Sequence, residues 1–174
     1  ISTPHAFNRN RVKQFIDWDK KYLWHPFTQM QDWLSEDPLI INRARGQYLF
    51  DTEGNQYLDG ASSLWVNIHG HGHKSIDRAV KDQLNQPSHS TLLGLSDTSA
   101  VELAKRLVEI TPRDLKKVFY SDNGSTSVEV AIKMAYQYWQ NTGRTNKKDI
   151  VHVANSYHWD TLGSVSVGGI DLFH

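Results

Sequence analysis

The sequence contains no cysteine, and this absence narrows the chemistry open to it. Without thiols the chain can form neither a disulfide framework nor a thiolate metal site. It also lacks an apolar run long enough to span a bilayer, and its first residues do not have the pattern of a signal peptide. Its 19 basic and 19 acidic residues leave no excess charge to attract nucleic acid or a membrane surface. We therefore expect a cytoplasmic protein that binds neither.

The most informative stretch is residues 118–139, where a short apolar run leads through a turn into a helix. Residues 118–120 are β-branched or aromatic and predict a buried strand. The turn that follows contains Gly124, and apolar residues then recur at helical spacing as far as Trp139. Because several sides of this helix are apolar, we expect it to be mostly buried.

The N-terminus of this helix is a candidate anion site. Gly124 and Ser125 place unpaired backbone N–H groups there, beside the hydroxyls of Ser125, Thr126 and Ser127. The helix dipole favours an anion at this end, and a phosphate is the natural ligand. The alternative is that Ser125 and Thr126 are ordinary N-caps. The motif is not a P-loop, because the glycine–lysine–serine/threonine spacing is missing.

The first part of the chain predicts a helix and a small sheet. Asn8 is a candidate cap for a first helix, which the segment before Pro26 ends. Three short strand signals follow, separated by glycine-containing turns, at residues 39–43, 48–51 and 56–59. They predict an antiparallel meander with one face free to pack on another element.

Two further helices are predicted before residue 115. The first has Ser75 as its cap and ends at Pro87. The second has Ser99 and Glu102 at capping-box spacing.

A strand, a helix and a second strand follow in the last third of the sequence. The strands are predicted at residues 115–120 and 149–154, on either side of the central helix. This order predicts a right-handed parallel crossover in an α/β layer, with ligands beyond the carboxyl ends of the strands. The anion turn and the loop carrying Tyr157 and His158 are then expected to face one crevice. A phosphate site with an aromatic ring nearby suits a flat phosphorylated cofactor.

His69, His71 and His73 alternate with glycine, and histidine is a common metal ligand. No carboxylate lies beside them in the sequence, and a metal site needs a supported first shell. The favoured interpretation is a glycine-enabled turn with solvent-facing or locally bonded imidazoles, and no metal is predicted.

Several stretches, in the same order, resemble the class III aminotransferases, which are pyridoxal-phosphate-dependent enzymes of fold type I. Within that class the similarity is to the enzymes that convert 8-amino-7-oxononanoate to 7,8-diaminononanoate in biotin biosynthesis. The matching stretches are LWHPFTQM at 23–30, DGASSLWVNIHGHGH at 59–73, HSTLLG at 89–94, FYSDNGSTSVEVAIKMAYQYW at 119–139 and NSYHWDTLGSVSVGG at 155–169. Two alternatives remain: another class III omega-aminotransferase, or a non-catalytic module that binds the cofactor or mediates assembly.

The resemblance implies roles for particular residues. Gly124 and Ser125 would hold the phosphate of pyridoxal 5'-phosphate, and Tyr157 would pack against its ring with His158 beside it. The substrate pocket would be lined by Phe27, Leu64, Trp65 and Tyr157. The family also implies a homodimer with active sites at the subunit interface.

The resemblance further implies a division of the chain. Residues 1–60 would form the N-terminal helix and small-domain meander, residues 61–97 connecting loops and a helix, and residues 98–174 the start of a large domain with a mostly parallel sheet. The family's Schiff-base lysine is expected beyond His174, where the chain is predicted to stop in mid-fold. No catalytic residue is therefore assigned, and the chain alone is predicted to be inactive and to expose apolar surface along residues 127–139.

One position departs from the family pattern, and two others bear on the amino donor. Trp159 stands where the family usually has glycine after the Tyr-His pair. Members that use S-adenosylmethionine as amino donor typically have tyrosine at the position of Phe27 and tryptophan at that of Leu64. The phenylalanine and leucine here slightly favour lysine over S-adenosylmethionine as the donor. The alternative is that these positions vary without consequence and that Trp65 supplies the stacking surface.

Overall fold

The structure is a computed structural model that describes residues 6–170. The chain divides into two units, residues 1–90 (unit 1) and residues 91–174 (unit 2). The elements of the described residues are α1 Arg9–Tyr22, α2 Met30–Ser35, β1 Ile41–Arg45, β2 Tyr48–Asp51, β3 Gln56–Leu58, α3 Ser62–Trp65, α4 Lys74–Gln83, α5 Thr98–Ile110, α6 Gly124–Asn141 and α7 Leu162–Ser166. The predicted boundaries after residues 60 and 97 stay predictions.

Helix α1 begins where the sequence predicts. The side chain of Asn8 accepts a hydrogen bond from the Arg11 backbone N–H at 3.0 Å, so one of the unpaired donors of the first turn is satisfied. Near the end of the helix, buried Asp19 lies 3.0 Å from His25 Nε2 and accepts a hydrogen bond from Trp33 Nε1 at 2.8 Å. These bonds join α1, the following turn and the short helix α2, which was not predicted.

The three strands form the predicted antiparallel meander in the order β1-β2-β3. Strand β1 begins and ends two residues later than expected, β2 has the predicted bounds, and β3 ends one residue earlier than predicted. Buried Asp51 organises the β2–β3 turn, because its carboxylate accepts hydrogen bonds from the backbone N–H groups of Glu53 and Asn55 at 2.9 and 2.8 Å. The small-domain sheet is therefore confirmed.

Two predicted helix caps are wrong. Helix α4 is capped by His73 and not by Ser75, whose hydroxyl lies 3.0 Å from His73 Nδ1. Helix α5 is capped by Asp97 and not by Ser99, because the Asp97 carboxylate accepts a hydrogen bond from the Ala100 N–H at 2.9 Å. A carboxylate at this position also interacts favourably with the helix dipole.

The two predicted parallel strands are not present in the described residues. Residues 115–120 and 149–154 run without ladder partners, and the meander is the only sheet within residues 6–170. A strand needs a hydrogen-bonded neighbour, and two strands alone are marginally stable. The side chains of Val151 and Val153 are accordingly 95% and 77% exposed. The expected start of a parallel sheet is thus corrected to two segments that belong to no sheet in the described residues.

Helix α6 is the longest described helix, and α7 packs against it. Met134 and Tyr138 are 50% and 58% exposed, and among its residues only Ser125 is buried. The expectation of a mostly buried helix is wrong for this chain, since too little of the described chain covers its outer sides. The expected exposure of apolar surface along it is observed. No helix within residues 6–170 has the length and apolar character needed to cross a membrane.

Candidate cofactor and substrate site

The N-terminus of α6 is held by a reciprocal pair of hydrogen bonds. Asn123 is the N-cap: its side-chain oxygen accepts from the Thr126 N–H at 3.0 Å, and the Thr126 hydroxyl oxygen accepts from the Asn123 N–H at 3.2 Å. This is a capping box, and Ser125 is not part of it. Among residues 6–170, the backbone N–H groups of Gly124 and Ser125 have no acceptor. Two donors therefore remain for an anion at the positive end of the helix dipole.

The hydroxyl of Ser125 connects α6 to the segment before α7. It donates to Thr161 Oγ1 at 2.8 Å and accepts from the Thr161 backbone N–H at 2.9 Å. It also lies 3.0 Å from the hydroxyl of Ser164, a residue with no exposed surface. No local sequence pattern indicates this cluster, because Thr161 and Ser164 lie 36 and 39 positions from Ser125. Its consequence is that the Ser125 side chain already has partners within unit 2.

Glu129 reaches from α6 to the N-terminus of α7. Its carboxylate accepts a hydrogen bond from the Gly163 N–H at 2.7 Å and a longer one from the Ser164 N–H at 3.3 Å. The side-chain hydrogen bond from Thr161, followed by that from the Gly163 N–H, lowers the pKa of Glu129 below its ordinary value. The carboxylate is thus held in its charged form against the first turn of α7.

The predicted cofactor-ring residues lie in the loop before α7. The Tyr157 hydroxyl donates to Asp160 Oδ2 at 2.6 Å, and this bond is the main reason that the pKa of Tyr157 is raised. The Tyr157 ring centroid lies 6.0 Å from that of Trp159. His158, between them, is half-buried. The loop therefore presents three rings in succession.

Trp159 lies directly against the end of α6. Its φ angle is 73°, in the left-handed region that is disfavoured for a residue with a bulky side chain. A Cβ atom at Gly124 would lie 2.6 Å from Cε2 and 3.0 Å from Cζ2 of the indole, with Nε1 closer still. The loop that carries Tyr157 and His158 does meet the α6 N-terminus in unit 2. The ring of that loop that lies on Gly124 is, however, the Trp159 indole.

Of the predicted substrate-binding residues, Phe27, Leu64 and Trp65 belong to unit 1 and Tyr157 belongs to unit 2. Phe27, with a φ angle of 51°, is 78% exposed and lines a groove of about 660 Å³ together with residues of α2. Leu64 and Trp65 are 69% and 73% exposed and do not line this groove. Within unit 1, this groove therefore brings Phe27 together with α2 but not with Leu64 or Trp65.

The glycine–histidine segment is bonded locally. His71 Nε2 lies 2.8 Å from Asp59 Oδ2, and the backbone of His71 exchanges two hydrogen bonds with Gly46. His73 contacts Ser75, as described above, and its ring lies 5.7 Å from that of His69. In the part of the chain that the structure describes, no three candidate metal ligands come together.

Comparison with solved structures identifies the class of fold. The structure matches the adenosylmethionine-8-amino-7-oxononanoate aminotransferase of Methanocaldococcus jannaschii with a TM-score of 0.90 at 49% identity, over 93% of this chain and 37% of that chain. It matches an (S)-enantioselective omega-transaminase of Thermomicrobium roseum with a TM-score of 0.89 at 30% identity, over 97% of this chain and 37% of that chain. The fold is that of the fold type I transaminases, as predicted.

Sequence comparison shows the family. The model of the class-III aminotransferases matches residues 30–171, and the chain belongs to this family. A relative from Staphylococcus aureus named adenosylmethionine-8-amino-7-oxononanoate aminotransferase is 54% identical over 168 residues, which is 95% of this chain and 37% of the relative. The chain therefore spans little more than a third of the length of the curated relatives it matches.

Membership in this family implies pyridoxal phosphate as the cofactor of the whole enzyme. The α6 N-terminus fits a cofactor phosphate, since the N–H groups of Gly124 and Ser125 have no acceptor in the part of the chain that the structure describes and the helix dipole favours an anion. Two features limit this fit. The Ser125 hydroxyl already bonds to Thr161, and the Trp159 indole covers Gly124.

Proposed function

We propose that the whole protein is an aminotransferase that converts 8-amino-7-oxononanoate to 7,8-diaminononanoate in biotin biosynthesis. The observation that carries this proposal is the 54% identity, over 95% of this chain, to a relative named for that acceptor. Pyridoxal phosphate, when bound, carries the amino group between the donor and the acceptor. No residue of this chain is proposed as the catalytic lysine.

In this proposal the chain binds and orients the cofactor and the substrate. The N–H groups of Gly124 and Ser125 donate to the phosphate, and the Ser125 hydroxyl exchanges its bond to Thr161 for one to a phosphate oxygen. Tyr157 packs against the cofactor ring with His158 beside it. The apolar side chains of Phe27, Leu64 and Trp65, together with Tyr157, line the substrate pocket.

Replacing Ser125 by alanine in the whole protein tests the phosphate assignment. Loss of a charge-assisted hydrogen bond should weaken binding of pyridoxamine 5'-phosphate by about 1–3 kcal/mol, measured by isothermal titration. Ser127→Ala is the matched control, because the Ser127 hydroxyl lies in the same first turn and donates to the Asn123 carbonyl oxygen at 2.8 Å. Equal affinity of the Ser125→Ala and Ser127→Ala proteins would contradict the assignment.

A second control separates the phosphate contact from the loosening of α7. Thr161→Val removes the hydroxyl that Ser125 donates to, but leaves the Ser125 side chain in place. Thr161→Val should therefore bind pyridoxamine 5'-phosphate more tightly than Ser125→Ala does, with an affinity close to that of wild type. If both variants lose affinity equally, Ser125 acts through the position of α7 and not through the phosphate.

The amino donor is the point on which two observations differ. The relative from Staphylococcus aureus has adenosylmethionine in its name. In this chain, however, Phe27 lacks the hydroxyl and Leu64 lacks the broad aromatic face that suit this donor. Single-turnover conversion of the pyridoxal form of the whole protein, with S-adenosylmethionine and lysine in turn, decides between them. Fast conversion by S-adenosylmethionine and none by lysine would assign the first donor.

A second candidate is an omega-transaminase with another acceptor. It is favoured by the structural match to the omega-transaminase of Thermomicrobium roseum. Assay of the whole protein with 8-amino-7-oxononanoate beside a panel of simple ketones distinguishes the two. Turnover of ketones without turnover of 8-amino-7-oxononanoate would establish this second function.

The proposal includes a homodimer in the cytoplasm. It is supported by a run of exposed apolar side chains after β3, in which Leu64, Trp65, Val66 and Ile68 are each more than two-thirds exposed. Sedimentation of the whole protein measures the oligomeric state, and cell fractionation measures the location. A monomer at micromolar concentration would refute the first part.

A further inference from the structure

Helix α3 is a single turn of left-handed helix. Its four residues have φ angles of 51° at Ser62, 49° at Ser63, 64° at Leu64 and 69° at Trp65. None of them is glycine, and each L-residue is sterically disfavoured in this conformation. Single residues adopt it in turns, but four in succession need a surrounding structure that holds them.

Backbone hydrogen bonds close the turn. The Trp65 N–H donates to the Ala61 carbonyl at 2.8 Å, and the N–H groups of Val66 and Asn67 both donate to the Ser62 carbonyl at 3.0 Å. These bonds define the turn, but a right-handed turn could satisfy the same groups. They do not explain why the left-handed form is chosen.

The side chain of Asp59 accepts two hydrogen bonds from Ser63, the second residue of the turn. Its Oδ1 accepts from the Ser63 backbone N–H at 2.7 Å, and its Oδ2 accepts from the Ser63 hydroxyl at 2.8 Å. The Asp59 side chain is only 7% exposed, whereas Ser63 lies at the surface. The Asp59 carboxylate thus holds Ser63, the second residue of the turn, through both of its oxygen atoms.

Asp59 is itself fixed to the meander. Its backbone N–H donates to the Gln47 carbonyl at 2.9 Å, and its Oδ2 lies 2.8 Å from His71 Nε2. The backbone of His71 is in turn paired with Gly46, in the turn between β1 and β2, through bonds of 2.8 and 2.9 Å. The left-handed turn is therefore connected through one carboxylate to the rigid sheet of unit 1.

We propose that Asp59 is a positioning residue, which holds the left-handed turn so that Leu64 and Trp65 face the substrate. This inference rests on the proposed function, in which those two side chains line the pocket. Both are largely exposed in the turn, and a right-handed turn of the same residues would send their side chains in other directions. Asp59 acts through the backbone and does not itself contact the substrate.

The test replaces Asp59 by asparagine in the whole protein. Asparagine has nearly the same shape but is a weaker acceptor, because it carries no charge and only one oxygen. We expect KM for 8-amino-7-oxononanoate to rise about tenfold while kcat changes less than about twofold, since uniform binding is lost. The matched control is Asp51→Asn, because Asp51 is a buried carboxylate with four hydrogen bonds in the same meander. It should lower stability and leave KM unchanged.

A rescue variant distinguishes positioning from general destabilisation. Ser62→Gly, added to Asp59→Asn, removes the steric penalty at a residue with a φ angle of 51°, so that the turn needs less support. In the double variant, KM should be about fivefold lower than in Asp59→Asn alone. The position of Trp65 is read independently by fluorine NMR of the protein labelled with 5-fluorotryptophan, its resonance being assigned from Trp65→Phe. That resonance should shift in Asp59→Asn and return in the double variant.

The two readouts separate failure of this inference from failure of the proposed function. An unchanged Trp65 resonance in Asp59→Asn overturns the role of Asp59, whatever the enzyme acts on. A shifted and rescued resonance with an unchanged KM also overturns it, because Leu64 and Trp65 then do not face the substrate. If the wild-type protein does not turn over 8-amino-7-oxononanoate, the proposed acceptor is wrong, and the resonance alone decides whether Asp59 holds the turn.

Discussion

The contact between Gly124 and Trp159 leads to a prediction about stability. Gly124→Ala adds a single methyl group at a position where the indole edge already lies, 2.6 Å away at Cε2. The φ angle of Gly124 lies outside the left-handed region, so the backbone itself accepts alanine. Any cost of the substitution therefore comes from Trp159.

The size of the effect follows from two opposing contributions. Forcing an extra methyl group into a packed contact costs about 1–3 kcal/mol. Replacing glycine by alanine in a helix stabilises by about 0.5–1 kcal/mol. Gly124→Ala should thus destabilise the wild-type protein by about 0.5–2 kcal/mol and stabilise a Trp159→Gly protein slightly. The coupling between the two positions should equal the steric part, about 1–3 kcal/mol.

A double-mutant cycle in urea measures this coupling. Gly124→Ala, Trp159→Gly and the double variant of the whole protein are unfolded side by side, and their free energies of unfolding are compared. Asn155→Gly is a control for backbone relief alone, because Asn155 also has a positive φ angle, 57°, in the same loop. Additive free energies, with a coupling below about 0.5 kcal/mol, would refute the reasoning, since they would show that the indole moves aside at no cost.

Two further predictions concern the ends of α6 and α7. Because hydrogen bonds from Thr161 and the Gly163 N–H lower the pKa of Glu129 in the folded state, its contribution to stability is present above the ordinary value of 4.5 and is lost as the pH falls through the lowered pKa. The free energy of unfolding, measured in urea between about pH 3 and about pH 7, should therefore depend less steeply on pH for Glu129→Gln than for wild type. Asn123→Ala removes the acceptor of the Thr126 N–H and should cost about 1 kcal/mol of stability in the same assay, whereas a cost near zero would show that water replaces the cap.

Local signals in the sequence predicted the elements that depend on neighbouring residues. The first helix follows from Asn8 as a cap, and the meander follows from short β-branched runs separated by glycine turns. The strand predictions at 115–120 and 149–154 failed because a strand is a property of a pair, and no pairing partner lies in the described residues. Helix α7 was missed for a similar reason: the group that satisfies its first N–H donors is a carboxylate 34 residues away.

In the candidate site as well, features set by neighbouring residues could be predicted, whereas contacts between residues far apart in the chain could not. The open N–H groups of Gly124 and Ser125 follow from a glycine turn that leads into a helix, and the sequence was enough to predict them. The bonds from Ser125 to Thr161 and Ser164 join residues far apart in the chain, so no local pattern indicates them. The sequence also marked Trp159 as unusual, but only the structure shows that its indole lies on Gly124.

The position of the Ser125 hydroxyl makes anion binding and helix docking compete for one atom. The oxygen that a phosphate would engage is the oxygen that receives the Thr161 N–H and lies beside Ser164. An anion that takes this hydroxyl therefore weakens the attachment of α7, and by thermodynamic reciprocity the docked α7 weakens anion binding by the same factor. The bond from the Gly163 N–H to Glu129 does not involve the Ser125 hydroxyl, so this part of the attachment of α7 to α6 remains when an anion takes that hydroxyl.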